Sequence, residues 1–132
     1  MRFMLDTNII SGMIRNPGGK AAGVMARVGD AAVCTSIVVA SELRYGCARK
    51  GSAKLLKKVE ELLAEIPVLP LDVRADAEYA ALRAELEGRG ETIGHNDLFI
   101  AAHACASGST LVTANMAEFS RIRKLNVENW LE

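Results

Sequence analysis

MRFMLDTN, residues 1–8, carries an apolar run from Arg2 to Leu5 straight into Asp6-Thr7-Asn8. The run reads as a short strand ending in a carboxylate. Open α/β sheets place their ligands beyond the carboxyl ends of their strands, so Asp6 stands where such a fold keeps its chemistry. Glu42, Asp97 and the Asn115/Glu118 pair fall in comparable settings further along. Together they point to carboxylates gathered at one sheet edge, an arrangement that suits a hard divalent cation.

The rest of the chain supports that frame. Arg2–Leu5, Ala31–Thr35, Ile66–Leu71, Thr110–Thr113 and Leu125–Val127 read as strands. Between them the spacing predicts helices over Thr7–Ile14 and Lys20–Val28, and two more capped by Ser36 and Ser52. Asp72 opens a helix running to about Leu86, with Val73, Ala77, Ala80, Leu82 and Leu86 inward. An apolar helix starts at Asn96 or Asp97, and a helical turn covers Met116–Arg121. Alternating strands and helices predict an α/β class: a single α/β/α domain over residues 1–132 with a central, mostly parallel sheet flanked by helices.

Half of the 132 residues are apolar, enough for a buried core, and 16 basic residues balance 16 acidic ones. That neutrality argues against a protein that coats nucleic acid indiscriminately. Cys34, Cys47 and Cys105 are widely spaced, which favours reduced structural thiols in a reducing compartment and disfavours zinc. Asp6 interrupts the first apolar stretch too early for a signal peptide, and no window is apolar enough to span a membrane, so a cytoplasmic protein is expected.

Each acid has an ordinary reading as well. Asp6 suits a helix N-cap, Glu42 a partly exposed helix surface, Asp97 a cap or first turn, and Asn115 with Glu118 a turn beside a surface acid. Convergence changes this, because clustered carboxylates raise one another's pKa unless a cation intervenes. His103, inside AAHAC, suits a packed core, whereas His95 reads as exposed. Tyr45 and Trp130 read as packing or interface residues. A phosphatase using Asp6 as nucleophile would want an acid where Asn8 stands. A receiver-like domain would want a lysine that TLVTAN lacks.

The segments FMLDTNIIS (3–11), SIVVASELRYGCAR (36–49), IGHNDLFIAAHA (93–104), TLVTANMAEFSRI (110–122) and LNVENWLE (125–132) resemble, in order and spacing, the PIN-domain proteins, and among them the VapC-type ribonuclease toxins of toxin–antitoxin pairs. The resemblance implies a PIN-like fold and a metal-dependent endoribonuclease. Asp6, Glu42 and Asp97 would be its acidic metal-site residues, with Glu118 or Asn115 at the fourth position and Thr7, Asn8 and Thr113 in support. It implies Mg²⁺, with Mn²⁺ as a substitute, and hydrolysis leaving a 5′-phosphate and a 3′-hydroxyl. The substrate would be RNA, first among candidates the anticodon stem-loop of initiator tRNA. The partners would be a VapB-type antitoxin and a second copy of the chain, building a larger toxin–antitoxin assembly. Arg44, Arg49, Lys50 and His95 are candidate RNA contacts, since basic groups position phosphates. The intact acids argue against a PIN-fold binding module that has lost catalysis.

Overall fold

The structure is a computed structural model describing residues 2–132. Five strands form one sheet: β1 (Phe3–Leu5), β2 (Val33–Ser36), β3 (Val68–Leu69), β4 (Thr110–Val112) and β5 (Val127–Glu128). Their spatial order is β3-β2-β1-β4-β5 and every pairing is parallel. β1 therefore lies at the centre, with Leu5 level with Thr35 on one side and Val112 on the other. Parallel strands buried on both faces need apolar residues at successive positions, and Met4, Leu5, Leu111 and Val112 are all fully buried.

Seven helices connect the strands: α1 (Thr7–Arg15), α2 (Lys20–Val28), α3 (Ile37–Lys50), α4 (Ala53–Glu65), α5 (Arg74–Gly88), α6 (His95–Ala106) and α7 (Met116–Phe119). All twelve elements expected from the sequence are present, with shifts that have local causes. Pro67 and Pro70 have no N–H to give to a ladder, so β3 shrinks to the two residues between them, and Pro67 serves only as acceptor for the Thr35 N–H at 2.9 Å. Asp30–Ala32 winds into one 3₁₀ turn, which delays β2 to Val33. α6 begins at His95, putting Asp97 in its first turn instead of at its cap.

The caps follow the residue chemistry. The Ser36 hydroxyl accepts the Val38 N–H at 3.1 Å, and the Ser52 hydroxyl accepts that of Leu55 at 3.1 Å. Gly51, between α3 and α4, sits at φ 64°, a left-handed conformation that glycine adopts without a Cβ clash. His103 is buried, as its apolar setting implies. Burial holds its pKa below the usual histidine value, against the charge of the nearby Asp72. Its Nδ1 lies 2.8 Å from the Ser36 hydroxyl, joining α6 to the start of α3. Trp130 packs against Phe3 with ring centroids 5.3 Å apart.

Some inward assignments are corrected. Val73 is 81% exposed, and Ala77 and Ala80 face solvent. Leu82 and Leu86 are buried as expected, and Ala75 joins them on the face of α5 that packs on α6. Tyr45 is 65% exposed, which overturns the packing reading for that ring. Cys34 and Cys47 are buried and Cys105 half-buried, all as free thiols. Among the described residues no helix is long and apolar enough to cross a membrane.

Phe119 is fully buried under the α7 turn, so Phe119→Ala is expected to lower unfolding free energy by about 3–5 kcal/mol. Ser36→Ala removes a cap and a partner of a buried imidazole, and is expected to cost about 1–2 kcal/mol. Denaturant titration of both variants against the parent chain measures each.

Candidate active site

The carboxyl ends of β1 and β4 lie side by side, and the chain leaving each supplies the site's first residues. The Asp6 N–H donates to the Val112 carbonyl at 2.8 Å, so Asp6 extends the β1–β4 pairing by one step before α1 begins. Its side chain is 4% exposed. Oδ1 accepts the Thr7 N–H at 2.8 Å and Oδ2 accepts the Thr113 hydroxyl at 2.7 Å. Thr113, itself fully buried, accepts the Asn115 N–H at 3.0 Å. The Asn8 side-chain oxygen accepts the Ala114 N–H at 2.9 Å, a second tie between the two strand ends.

The remaining acids arrive from three helices. Glu42, on α3, accepts the Thr7 hydroxyl at 2.8 Å and so stands against the start of α1. Asp97 enters from the first turn of α6. Glu118, on α7, accepts the Asn115 amide at 2.8 Å and faces the Asp97 carboxyl, with which it shares a hydrogen bond.

Four carboxyls in one field perturb each other. Burial pushes the Asp6 pKa up, and Glu42 and Glu118 push it further, against the hydrogen bonds from Thr113 and Thr7. Asp97 is raised to about 7, first by burial, then by the hydrogen bond and charge of Glu118 and the charges of Asp6 and Glu42. Burial also opposes ionisation of Glu118. The hydrogen bonds from Asp97, Asn115 and Gly94, with the nearby Arg121 guanidinium, outweigh it and hold this carboxyl low. The pair thus shares one proton, carried on Asp97 and accepted by Glu118.

The structure brings together Asp6, Thr7, Asn8, Glu42, Asp97, Thr113, Asn115 and Glu118. Among the described residues no three His, Cys, Asp or Glu side chains are disposed to hold an ion unaided. The donor set nevertheless fits a hydrated hard cation. Its ligands are all oxygen, and Mg²⁺ takes one or two carboxylates and keeps several waters. The mutual repulsion that raises Asp97 is relieved by positive charge at that point.

The expected RNA contacts divide. Lys50 shares a cleft of about 240 Å³ with Thr7, Glu42 and Arg15, directly beside the acids. His95 is exposed at the start of α6. Arg49 is exposed near the end of α3. Arg44 turns toward α4, where its guanidinium pairs with Glu60 at 2.8 Å. Sequence reading missed Arg121, whose charge reaches Glu118 and whose Nη1 donates to the Thr92 carbonyl at 2.9 Å. The only signal for it was its position three residues after Glu118 in MAEFSRI.

Residues 3–125 match the PIN domain family. Ribonuclease VapC2 of Rickettsia felis is 36% identical over 132 residues, covering 98% of both chains. The tRNA(fMet)-specific endonuclease VapC of Shigella flexneri is 36% identical over 133 residues, again covering 98% of each. The solved structure of VapBC2 from Rickettsia felis, bound to a DNA fragment from their promoter, superposes with a TM-score of 0.90 at 35% identity. It covers 98% of this chain and 99% of that one. With likeness of this extent in both sequence and fold, the chain belongs to the PIN-domain family and, within it, to the VapC group.

Proposed function

We propose that this chain is the toxin of a type II toxin–antitoxin pair, an endoribonuclease that hydrolyses RNA phosphodiester bonds with the help of a divalent cation. The observation that carries this reading is the convergence of Asp6, Glu42, Asp97 and Glu118 at the carboxyl edge of the sheet, where burial first, then the hydrogen bond and charge of Glu118 and the charges of Asp6 and Glu42, raise Asp97 to about 7. The relatives named ribonuclease VapC2 and tRNA(fMet)-specific endonuclease VapC support the substrate class, with the initiator-tRNA anticodon stem-loop as the preferred target.

Asp6 and Asp97 would hold Mg²⁺, or Mn²⁺ in its place, with Glu42 binding a second ion or a coordinated water. When bound, such an ion neutralises phosphate charge and acidifies water for attack. The chain's own groups do the rest. Thr113 and the Thr7 N–H fix the Asp6 carboxylate in one orientation. Thr7 fixes Glu42, and Asn115 fixes Glu118. With a cation bound there, the Asp97 proton would be lost to solvent while Glu118, already held low, stays ionised. Lys50 and Arg49 would contact the RNA backbone around this cluster, His95 would contact the RNA beside Asp97, and Arg44 would join them by leaving Glu60.

A VapB-type antitoxin is the proposed partner. Relatives solved as VapBC complexes support it, and the apolar cleft between α1, α3 and α4 beside Glu42 offers an incoming helix a seat. A homodimer, and a larger toxin–antitoxin assembly built from it, complete the reading.

Asp6→Asn and Asp97→Asn are each expected to lower Mg²⁺-dependent cleavage of a tRNA substrate at least about a hundredfold. Thr113→Val is expected to lower it about tenfold by freeing Asp6. Gel assays with and without EDTA read these effects, and equal cleavage by the Asp97→Asn variant refutes the assignment. A second outcome concerns the ion-free protein. Asp97 unfolds to a pKa near 3.8 from a folded value of about 7. Between those values the folded chain binds more protons than the unfolded one, so stability falls as pH rises. In EDTA, Asp97→Asn is therefore expected to stabilise the chain at pH 8 by about 1–2 kcal/mol after solvent screening, and not at pH 4. Denaturant titrations at the two pH values check this.

A further inference from the structure

A cavity of about 260 Å³ opens between α5 and the loop that leads into α6. Leu86, Ile93 and Leu98 form its apolar floor, and Arg83, Glu87 and His95 stand at its rim. The cavity is smaller than pockets for drug-sized ligands, which run from roughly 300 to 1,000 Å³. An apolar floor under a polar edge suits one planar, polar-edged group.

Two features set it apart from a casual surface hollow. The Arg83 guanidinium is held by two partners, Glu87 through Nε at 3.0 Å and the Tyr79 hydroxyl through Nη1 at 3.2 Å. Tyr79 is itself stacked on Phe99 with centroids 4.3 Å apart. A donor fork and a carboxylate acceptor thus stand side by side at the rim. The far wall leads into the acids: Gly94 and His95 line the cavity and run directly into Asp97 in the first turn of α6, and Arg121 pins the Thr92 carbonyl.

We propose that this cavity is a base subsite, taking the unpaired RNA base next to the bond that is cut; the inference rests on the ribonuclease reading above. RNA-binding proteins read single-stranded bases by splaying them out, stacking them on flat side chains and hydrogen-bonding their edges. The His95 imidazole covers the base, and the floor takes its other face. Glu87 accepts from an exocyclic amine while Arg83 donates to the neighbouring ring nitrogen or carbonyl, as carboxylate and guanidinium do on base edges elsewhere. The subsite therefore favours a base that carries an amino group, and uracil is the poorest fit.

The test is a pool of RNA stem-loops with randomised loop nucleotides, cut in Mg²⁺ by the parent chain, Arg83→Ala, Glu87→Ala and the double variant, with 5′-end sequencing of the products. The parent is expected to disfavour uracil about tenfold at one position flanking the cut. The variants are expected to flatten that position alone, with unchanged melting temperatures. An abasic residue placed there slows the parent about tenfold and the double variant no further. A parent that cuts with a preference the variants retain overturns the subsite and leaves the ribonuclease reading standing. A parent that cuts no RNA overturns both. Variants that keep the preference but shift the protein from dimer to monomer by light scattering assign the cavity to a second copy of the chain and overturn the proposal.

Discussion

A carboxyl group buried at the end of the central strand is the constraint on which the rest of this structure turns. Burying a charge without partners is costly enough that the group either neutralises or is hydrogen-bonded. Asp6 is hydrogen-bonded on both oxygens, and each donor comes from a different element. The Thr7 N–H is one of the orphan donors of α1, so the same contact that satisfies Asp6 starts that helix. The Thr113 hydroxyl comes from the end of β4, so it also locks the neighbouring strand in register. Leu5 level with Val112, and Asp6 bonded to the Val112 carbonyl, are the backbone expression of that lock. The central β1–β4 pair and the acid at its tip are one feature, not a scaffold with a site added later.

The surrounding acids make sense only relative to this anchor. Glu42 is tied to it through Thr7, and Glu118 through Asn115, whose N–H bonds Thr113. Asp97 meets Glu118 instead of these threonines, and its raised pKa eases the repulsion between the two by favouring the protonated acid. The protein thus tolerates four clustered carboxyls by spending hydroxyl and amide donors on three and a proton on the fourth. A cation competes with that proton, which links ion binding, pH and stability through a single side chain.

Most of the fold was legible because the strands are short apolar runs between strong helix signals. Ser36 and Ser52 announced their caps, and the buried periodicity of α1 and α6 followed from Ile9, Ile10, Met13 and the LFIAAHACA run. What failed was local. The inward face of α5 was misread at Val73, Ala77 and Ala80, since small and β-branched residues satisfy an apolar pattern whether or not anything packs on them. Ala31 and Ala32 fit a strand by composition, yet the turn after Gly29 wound them into 3₁₀ geometry. The site was legible at Asp6, Asp97 and Glu118, which stand at element junctions where the strand and helix pattern exposes them, whereas Glu42 lies within α3 and is marked only by its closeness to that helix's apolar stripe. The partnership of Arg44 with Glu60 was not legible, because it depends on how α3 and α4 cross. Nor was Arg121, whose approach to the site depends on the fold of the α7 turn.

Electrostatics then sets how such a site must be served. The chain is neutral overall, and its reactive edge concentrates negative charge, so long-range attraction for a polyanion is weak. A substrate strand has to be drawn in by nearby cations, and these lie on two sides of the acids: Lys50 and Arg15 along the α1–α3 cleft, Arg121 and Arg83 by the α5–α6 loop. Phosphate contacts alone would hold any RNA equally. With little generic affinity to spare, discrimination must come from shape and from contacts to individual bases close to the acids. With only one Trp, two Tyr and three Phe, and with Trp130 and Phe119 buried in the core, extended stacking platforms are out of reach. A small pocket with a paired donor and acceptor at its rim, close in sequence to Asp97, is a form of recognition that this composition can support.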